Sequence, residues 1–269
     1  MTDPKQIAHR LACYDFPWDI TRSLELALFR TFASPRIGAL LHATGEFERC
    51  PQKRYDDTDL IVSSIVEHGY DSELGSKAIA HLNAIHGRFG IANEDFLYVL
   101  STFVFEPLRW IERFGWRPPS IEEKQGWFEF WREVGKRMAI RDLPGSYADF
   151  ERYNLDYEAA HFRYTEASRQ VGEATRELFA SWSPSVLKPL VRSSIHALLD
   201  ARLREAFGFR AASPGYVWAV DRAMQLRAHI LRLLPRRRTP RMRTEMQHRS
   251  YPDGWRLEDL GPAHKKSGD

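Results

Sequence analysis

A histidine turned toward the apolar side of a helix can ligate a metal or hold a proton, and His86 is placed to be one. At about 100° per residue, Leu74, Ala78, Ile79, Leu82, Ile85 and Phe89 share one arc of a helix over 72–89, and His86 falls inside it. His81 lies at the edge of that arc beside Lys77 and Arg88 and is expected at the surface. Five positions apart on one helix, the two cannot grip a single ion together. Upstream, Arg54 and Thr58 stand at i and i+4, and Thr58 shares its face with Ile61, Val62 and Ile65. Arg54 joins that face if the helix starts early enough. A cation, a hydroxyl and an imidazole leaning into one apolar centre need an anionic or polar partner, because an unpaired buried charge is costly. Haem meets both needs, with propionates for the arginine and iron for the histidine. A hydrogen-bonded packing histidine is the reading that asks for no ligand.

Other residues point to chemistry less specifically. Glu158 with His161, and Glu245 with His248, show the i, i+3 spacing of di-iron carboxylate bundles. Ten histidines produce such a pair by chance on the order of once, and Glu245 lies among arginines beyond the last predicted helix. Cys50, next to Pro51, could offer a thiolate, but it precedes the helical region and reads as a lone loop cysteine. Cys13 is the only other cysteine, so there is no disulfide framework, as suits a reducing compartment. His42, His68, His196 and His229 show no partner pattern. Trp110, Trp116, Trp127, Phe128, Phe130 and Trp131 could wall a channel for an apolar substrate, yet at helical spacing they read first as core packing.

The elements that must position these groups are helices. Asp19 precedes an apolar-periodic run over 20–32 that stops before Ser34 and Pro35, and a second short helix follows Pro35. Helices are expected over 56–67 and 72–89, then from Asn93 through a long apolar segment carrying Pro107. Ser120 with Glu123 is a capping box for 121–140. Ser146 or Asp149 opens the next helix, and 165–182 forms another. Ser183 with Pro184 starts one running toward Phe207, and Ser213 with Pro214 starts the last, which ends at Pro235. No stretch alternates like a strand, and no linker or repeat divides the chain. The expectation is an all-α fold in one domain packed round a centre, with 1–18 as an N-terminal extension, 19–235 as the helical catalytic domain and 236–269 as a basic tail.

Charge sharpens that division. Over 192–249, 13 Lys and Arg stand against 4 Asp and Glu, whereas the rest of the chain has 26 against 32. The tail reads as a solvated polar segment, although its arginines could meet anionic lipid; without an aromatic stacking residue over 236–249, a nucleic-acid platform is disfavoured. The start of the chain has no apolar signal segment, and the longest apolar run, 96–105, is about half of the roughly 20 residues that a membrane span needs. A cytoplasmic protein, free or peripherally membrane-bound, is expected.

Four blocks in order, Lys53-Arg54-Tyr55-Asp56-Asp57-Thr58, Asn83-Ala84-Ile85-His86-Gly87-Arg88-Phe89, the segment opening at Asn93-Glu94-Asp95-Phe96, and Glu106-Pro107-Leu108-Arg109-Trp110-Ile111, resemble the mpaB and rubber-oxygenase (latex clearing protein) family. The tail from Tyr251-Pro252-Asp253-Gly254-Trp255 to Leu260-Gly261-Pro262 is similar as well. The resemblance implies a globin-like helical core holding haem b, with His86 as the iron ligand and Arg54 and Thr58 in the haem pocket. It implies an enzyme that uses O2 to cleave a C=C bond in an apolar, isoprenoid-like substrate. Rubber oxygenases carry a lysine just before that threonine; Asp57 stands here, which favours the mpaB branch. Outside catalysis, a haem- or gas-binding helical protein or a membrane-docking scaffold is the alternative.

Overall fold

The computed structural model describes residues 2–262. Most helix starts follow from a proline or a side-chain cap. Helix α1 (Pro4–Arg10) begins with Asp3 accepting from the Lys5 backbone N–H at 2.9 Å, and runs on through a π-helical turn, Leu11–Asp15. Then follow α2 (Pro17–Thr31), α3 (Pro35–Thr44), α4 (Glu46–Arg49), α5 (Pro51–His68) and α6 (Glu73–His86). The chain continues through α7 (Asn93–Phe114), α8 (Ile121–Arg137), α9 (Tyr147–His161) and α10 (Glu166–Ser181). The last three are α11 (Lys188–Leu198), α12 (Ala201–Phe207) and α13 (Pro214–Leu233). Serines 72, 120, 146 and 213 and Thr165 cap their helices with side-chain oxygens, and the Ser120 and Glu123 box is formed in both directions. Among the described residues there is no strand, so the all-α expectation holds.

The long α7 lies at the centre, packed along α2 and against α8 and α9. Its Leu97, Leu100, Val104, Leu108 and Ile111 meet Trp127, Phe128, Phe130 and Trp131 of α8 in the main core. Pro107 cannot donate to the Phe103 carbonyl one turn back. The Trp127 indole N–H takes that carbonyl instead, at 3.0 Å, so the proline's missing bond ties α7 to α8. A smaller core joins Phe29, Phe32 and Ala33 to Val171 of α10 and to Leu203, Ala206 and Phe207 of α12.

Four sequence expectations are corrected. Residues 1–18 are no mere extension: Ile7, Ala8, Leu11 and Phe16 are buried in the main core, and Gly126 of α8 leaves the room that Ile7 occupies. The helix expected over 56–67 starts at Pro51, so Cys50 is its exposed N-cap rather than a loop residue ahead of the helices. The single helix expected after Pro184 is a 3-10 turn, α11 and α12, broken where Leu199 turns to extended backbone and Asp200 caps afresh. The basic tail, of which 263–269 lie outside the described residues, is not simply solvated.

Its fold-back follows from α5. Asp56, Asp59 and Glu67 form a stripe along that helix, and their carboxylates are buried enough to need donors. The tail supplies them. Glu67 accepts from the Arg243 and Thr244 backbone N–H groups, Asp59 from the Arg243 guanidinium and from His248 Nε2 at 3.1 Å, and Asp56 from the Ser250 N–H at 2.9 Å. Lys53 Nζ donates back to the Gly261 carbonyl at 2.9 Å, and His81, expected at the surface, bonds the Leu260 carbonyl at 2.9 Å.

Because Phe16 is fully buried between α1 and the main core, Phe16→Ala should lower unfolding free energy by about 3–5 kcal/mol in urea. A loss below about 0.5 kcal/mol, as for a surface residue, would return residues 1–18 to the status of an extension.

Candidate active site

An apolar cavity of about 270 Å³ opens among α2, α3, α5, α6, α7, α8 and α10. Because α5 starts at Pro51, Arg54 lies one turn before Thr58 on the face that also carries Ile61, Val62 and Ile65, and all five line the cavity. His86, the last residue of α6, lines it from the other side, with Leu82 and Ile85 one turn back and beside it. The structure therefore brings His86, Arg54 and Thr58 together. Of the six Trp and Phe residues read as a possible channel wall, only Trp131 reaches the cavity; Trp127, Phe128 and Phe130 are core, and Phe96, Phe103, Phe47 and Phe89 supply its aromatic wall.

Two titratable side chains in this wall, His86 and Arg54, stand apart from the other titratable groups there, which are hydrogen-bonded. The Nδ1 of His86 is buried with no hydrogen-bond partner among the described residues, and its ring leans on Phe96 at 5.2 Å between centroids. Burial, and then the positive charge of Arg54, push the imidazole down to about 4, so it is neutral at physiological pH with a lone pair available. Thr58 Oγ1 donates to the Arg54 carbonyl at 3.0 Å, leaving its oxygen free to accept. The Arg54 guanidinium has no ion pair or side-chain hydrogen bond among the described residues. It sits 5.8 Å from the Phe47 ring, and burial draws its proton affinity down although Asp57 and Glu46 pull the other way. Asp57 is itself engaged by Lys53 at 2.9 Å and by the Tyr251 hydroxyl.

Arg30 shows what a satisfied buried arginine looks like in the same protein. Its guanidinium meets Glu158 at 2.5 Å, Asp200 at 2.5 Å and Glu106 at 3.4 Å, joining α2, α7, α9 and the start of α12. Burial works against its charge, but the three carboxylates win, and Arg30 is held well above the ordinary arginine range. Glu158 thereby leaves the Glu-x-x-His pairing: it serves Arg30 and the Tyr98 hydroxyl, while His161 leans on Tyr157 with ring centroids 4.2 Å apart and planes tilted by 35°. His248 of the other pair holds Asp59, and Glu245 is exposed. Among the described residues no three His, Cys, Asp or Glu side chains cluster as a metal site.

One group at this cavity was not singled out in the sequence. Glu25 of α2 lines both this cavity and a smaller one of about 50 Å³ behind it, whose far wall includes Asp59 and Arg243. It accepts from the Tyr55 hydroxyl at 2.5 Å and pairs with Arg22 at 2.6 Å. Burial outweighs both and pushes its carboxyl up to about 7, so it can hold or release a proton near neutrality. Arg22 and Glu25 at i, i+3 look in sequence like an exposed pair, and no local signal distinguishes them.

In the ligand-free protein, Arg54→Met should be neutral or stabilise by about 1–2 kcal/mol, since it removes an unpaired buried cation. Arg30→Met should cost about 3–5 kcal/mol, since it strands Glu158 and Glu106. Equal losses in urea would show that Arg54 has a partner after all. A second expectation concerns pH. His86, depressed from 6.5 to about 4, adds stability as pH rises through that window, whereas Glu25, raised from 4.5 to about 7, removes it as pH rises through its own. Glu25→Gln should therefore make stability rise more steeply between pH 5 and 7 than in the parent, by about 1–3 kcal/mol; an unchanged slope would place the Glu25 carboxyl in its ordinary range.

Comparison with known proteins places the chain in a family. Residues 23–234 match the family described as "ER-bound oxygenase mpaB/B'/Rubber oxygenase, catalytic domain". The chain is 29% identical over 255 residues to "ER-bound oxygenase mpaB'" of Penicillium brevicompactum, covering 87% of this chain and 60% of that one. It is 28% identical over 227 residues to "ER-bound oxygenase mpaB" of Penicillium roqueforti (strain FM164), covering 77% and 76%. To "ER-bound oxygenase mpaB" of Penicillium brevicompactum it is 29% identical over 202 residues, covering 67% of this chain and 51% of that relative. Two of these three relatives thus extend well beyond the matched region. With the family matched over most of its length, the chain belongs to the mpaB and rubber-oxygenase catalytic-domain family of oxygenases.

Proposed function

We propose that this chain is a haem b-dependent oxygenase that cleaves a carbon-carbon double bond in an apolar, isoprenoid-like substrate. The observation that carries the reading is the pairing, in one apolar cavity, of a neutral imidazole and a buried guanidinium that lacks an anion. Haem b fits that pair: His86, whose Nδ1 is buried without a partner, would take the iron, and Arg54 would take a propionate. Thr58, with a lone pair free, would order a polar atom at the same wall. When bound, the group would supply the redox chemistry by which O2 is divided between the two alkene carbons. Both oxygen atoms then end in the two carbonyl products, so the reaction balances without an external reductant.

The chain's own residues would do the rest. The cavity wall excludes water and selects an apolar chain, with Leu82, Phe96, Val99 and Phe103 offering no polar atom to compete for it. Glu25, poised near neutrality at the same wall, would hold a proton there or give it up, with Tyr55 steering its carboxyl. The name "ER-bound oxygenase" carried by the relatives supports the reaction class. Asp57, engaged by Lys53 and Tyr251, stands where a rubber oxygenase carries lysine, which supports a substrate other than rubber.

Purified protein should show a Soret band, and His86→Ala should lose it while keeping its helical circular dichroism. An unchanged band in that variant would put the ligand elsewhere; a parent protein that takes up no haem would end the reading. Oxygen consumption against polyprenyl alkenes tests the chemistry separately, and stable haem without turnover would leave a gas-binding protein. Glu25→Gln should keep the Soret band and lose the bend in the rate profile expected near pH 7, with turnover reduced about 10²-fold or more.

A further inference from the structure

The outer side of α13 is unlike the rest of the surface. Trp218, Leu226, Ile230 and Leu233 are 63%, 61%, 52% and 86% exposed. They fall at i, i+8, i+12 and i+15, one stripe of the helix, with the exposed Arg222 completing it between the first two. The inner side of α13 is occupied: it packs on α11 and on α7, where Asp221 takes Arg113 at 2.8 Å, and Arg227 takes Asp19 of α2 at 2.9 Å. The stripe is therefore surplus to folding.

A cleft of about 920 Å³ opens where α13 ends, between it and the segments that hold Trp18 and Trp116. Arg232, Arg236, Arg237 and Arg241 line it, and none of them has a carboxylate partner among the described residues. The acids in its wall are already taken: Asp15 by Arg117 at 2.9 Å, Asp19 by Arg227, and Glu112 by Lys124. Arg236 lies 4.9 Å over the Trp116 ring, which holds its guanidinium open to the cleft. The feature thus joins an exposed apolar stripe to a set of unmatched cations at its C-terminal end.

We infer that this face docks on a membrane surface rich in anionic phospholipid, with the α13 stripe lying in the headgroup region and the arginine cleft taking lipid phosphates. Charge complementarity selects this occupant, because a second copy of the chain would bring the same arginines and repel. An apolar stripe beside cations, with tryptophans at its edge, is the composition of a helix that lies in the interface plane. Among the described residues no helix is long and apolar enough to cross a membrane. The inference is independent of the chemistry proposed for the cavity.

The test is flotation of the purified full chain with vesicles of phosphatidylcholine alone or with about 30% phosphatidylserine. Binding is expected only to the anionic vesicles, and it should weaken when salt is raised from about 0.1 M to 0.5 M. Ile230→Ser with Leu233→Ser, and separately Arg236→Glu with Arg237→Glu, should each reduce the bound fraction at least roughly tenfold while leaving the Soret band or, in its absence, the circular dichroism unchanged. These positions are exposed, so the variants test docking and not folding. Equal binding to neutral vesicles, binding indifferent to both pairs of substitutions, or no binding would overturn the inference. So would sedimentation that shows a dimer lost on Ile230→Ser with Leu233→Ser, since the stripe would then face another copy.

Discussion

A guanidinium kept inside an apolar cavity without an acid is the constraint from which the site follows. The protein can pair a buried arginine when folding alone requires it, as the three carboxylates around Arg30 show. At Arg54 it withholds that pairing, and the nearest acid on its own helix, Asp57, is spent on Lys53 and Tyr251. In the proposed function the charge would be met by a group that enters the cavity. Burial, reinforced by the same charge, depresses His86 and keeps the imidazole neutral with a lone pair available.

Holding such a group in place needs a rigid mount, and α5 has one because its two sides do different work. One side, with Arg54, Thr58, Ile61, Val62 and Ile65, faces the cavity. The other carries Asp56, Asp59 and Glu67, and the tail binds each of them. His248 on Asp59 is held above its ordinary range despite burial, because the carboxylate favours the imidazolium; Asp59 is held low for the reciprocal reason. The clasp costs three buried acids their water and regains it through backbone N–H groups and an arginine. Pro262 then closes the cavity wall from the end of the same clasp.

What the sequence showed and what it hid divide along the range of the interactions. His86 and Thr58 were legible because a helix repeats locally, and a periodic apolar arc fixes which way each side chain turns. The capping serines were legible for the same reason. Arg54 depended on where α5 begins, which Pro51 decides by suiting the first turn of a helix. Pro184 shows the limit of that signal: it opens only a 3-10 turn, and the helix waits for Lys188 and Pro189. The tail's role was hidden although half of it was in view. A stripe of acids at 56, 59 and 67 on a helix whose other side is apolar asks for cations, but which cations can only be known once the chain returns from 184 residues away.

Glu25 was the least legible, and the reason bears on how the site works. On its own helix it is half of an ordinary i, i+3 pair with Arg22, which in water would keep a carboxyl ionised. Burial against Tyr55 and two cavities reverses that outcome. Between about pH 4 and 7, then, the imidazole of His86 and the carboxyl of Glu25 are both largely neutral, Glu46, Asp57 and Asp95 in the wall are each paired elsewhere, and Arg54 is the one cation among the described residues that lines the cavity. A ligand that turns one anionic arm toward Arg54 and an apolar body toward the rest of the wall is matched by such an interior. A second anion there would meet no second cation, and above pH 7 it would meet the Glu25 carboxylate as well.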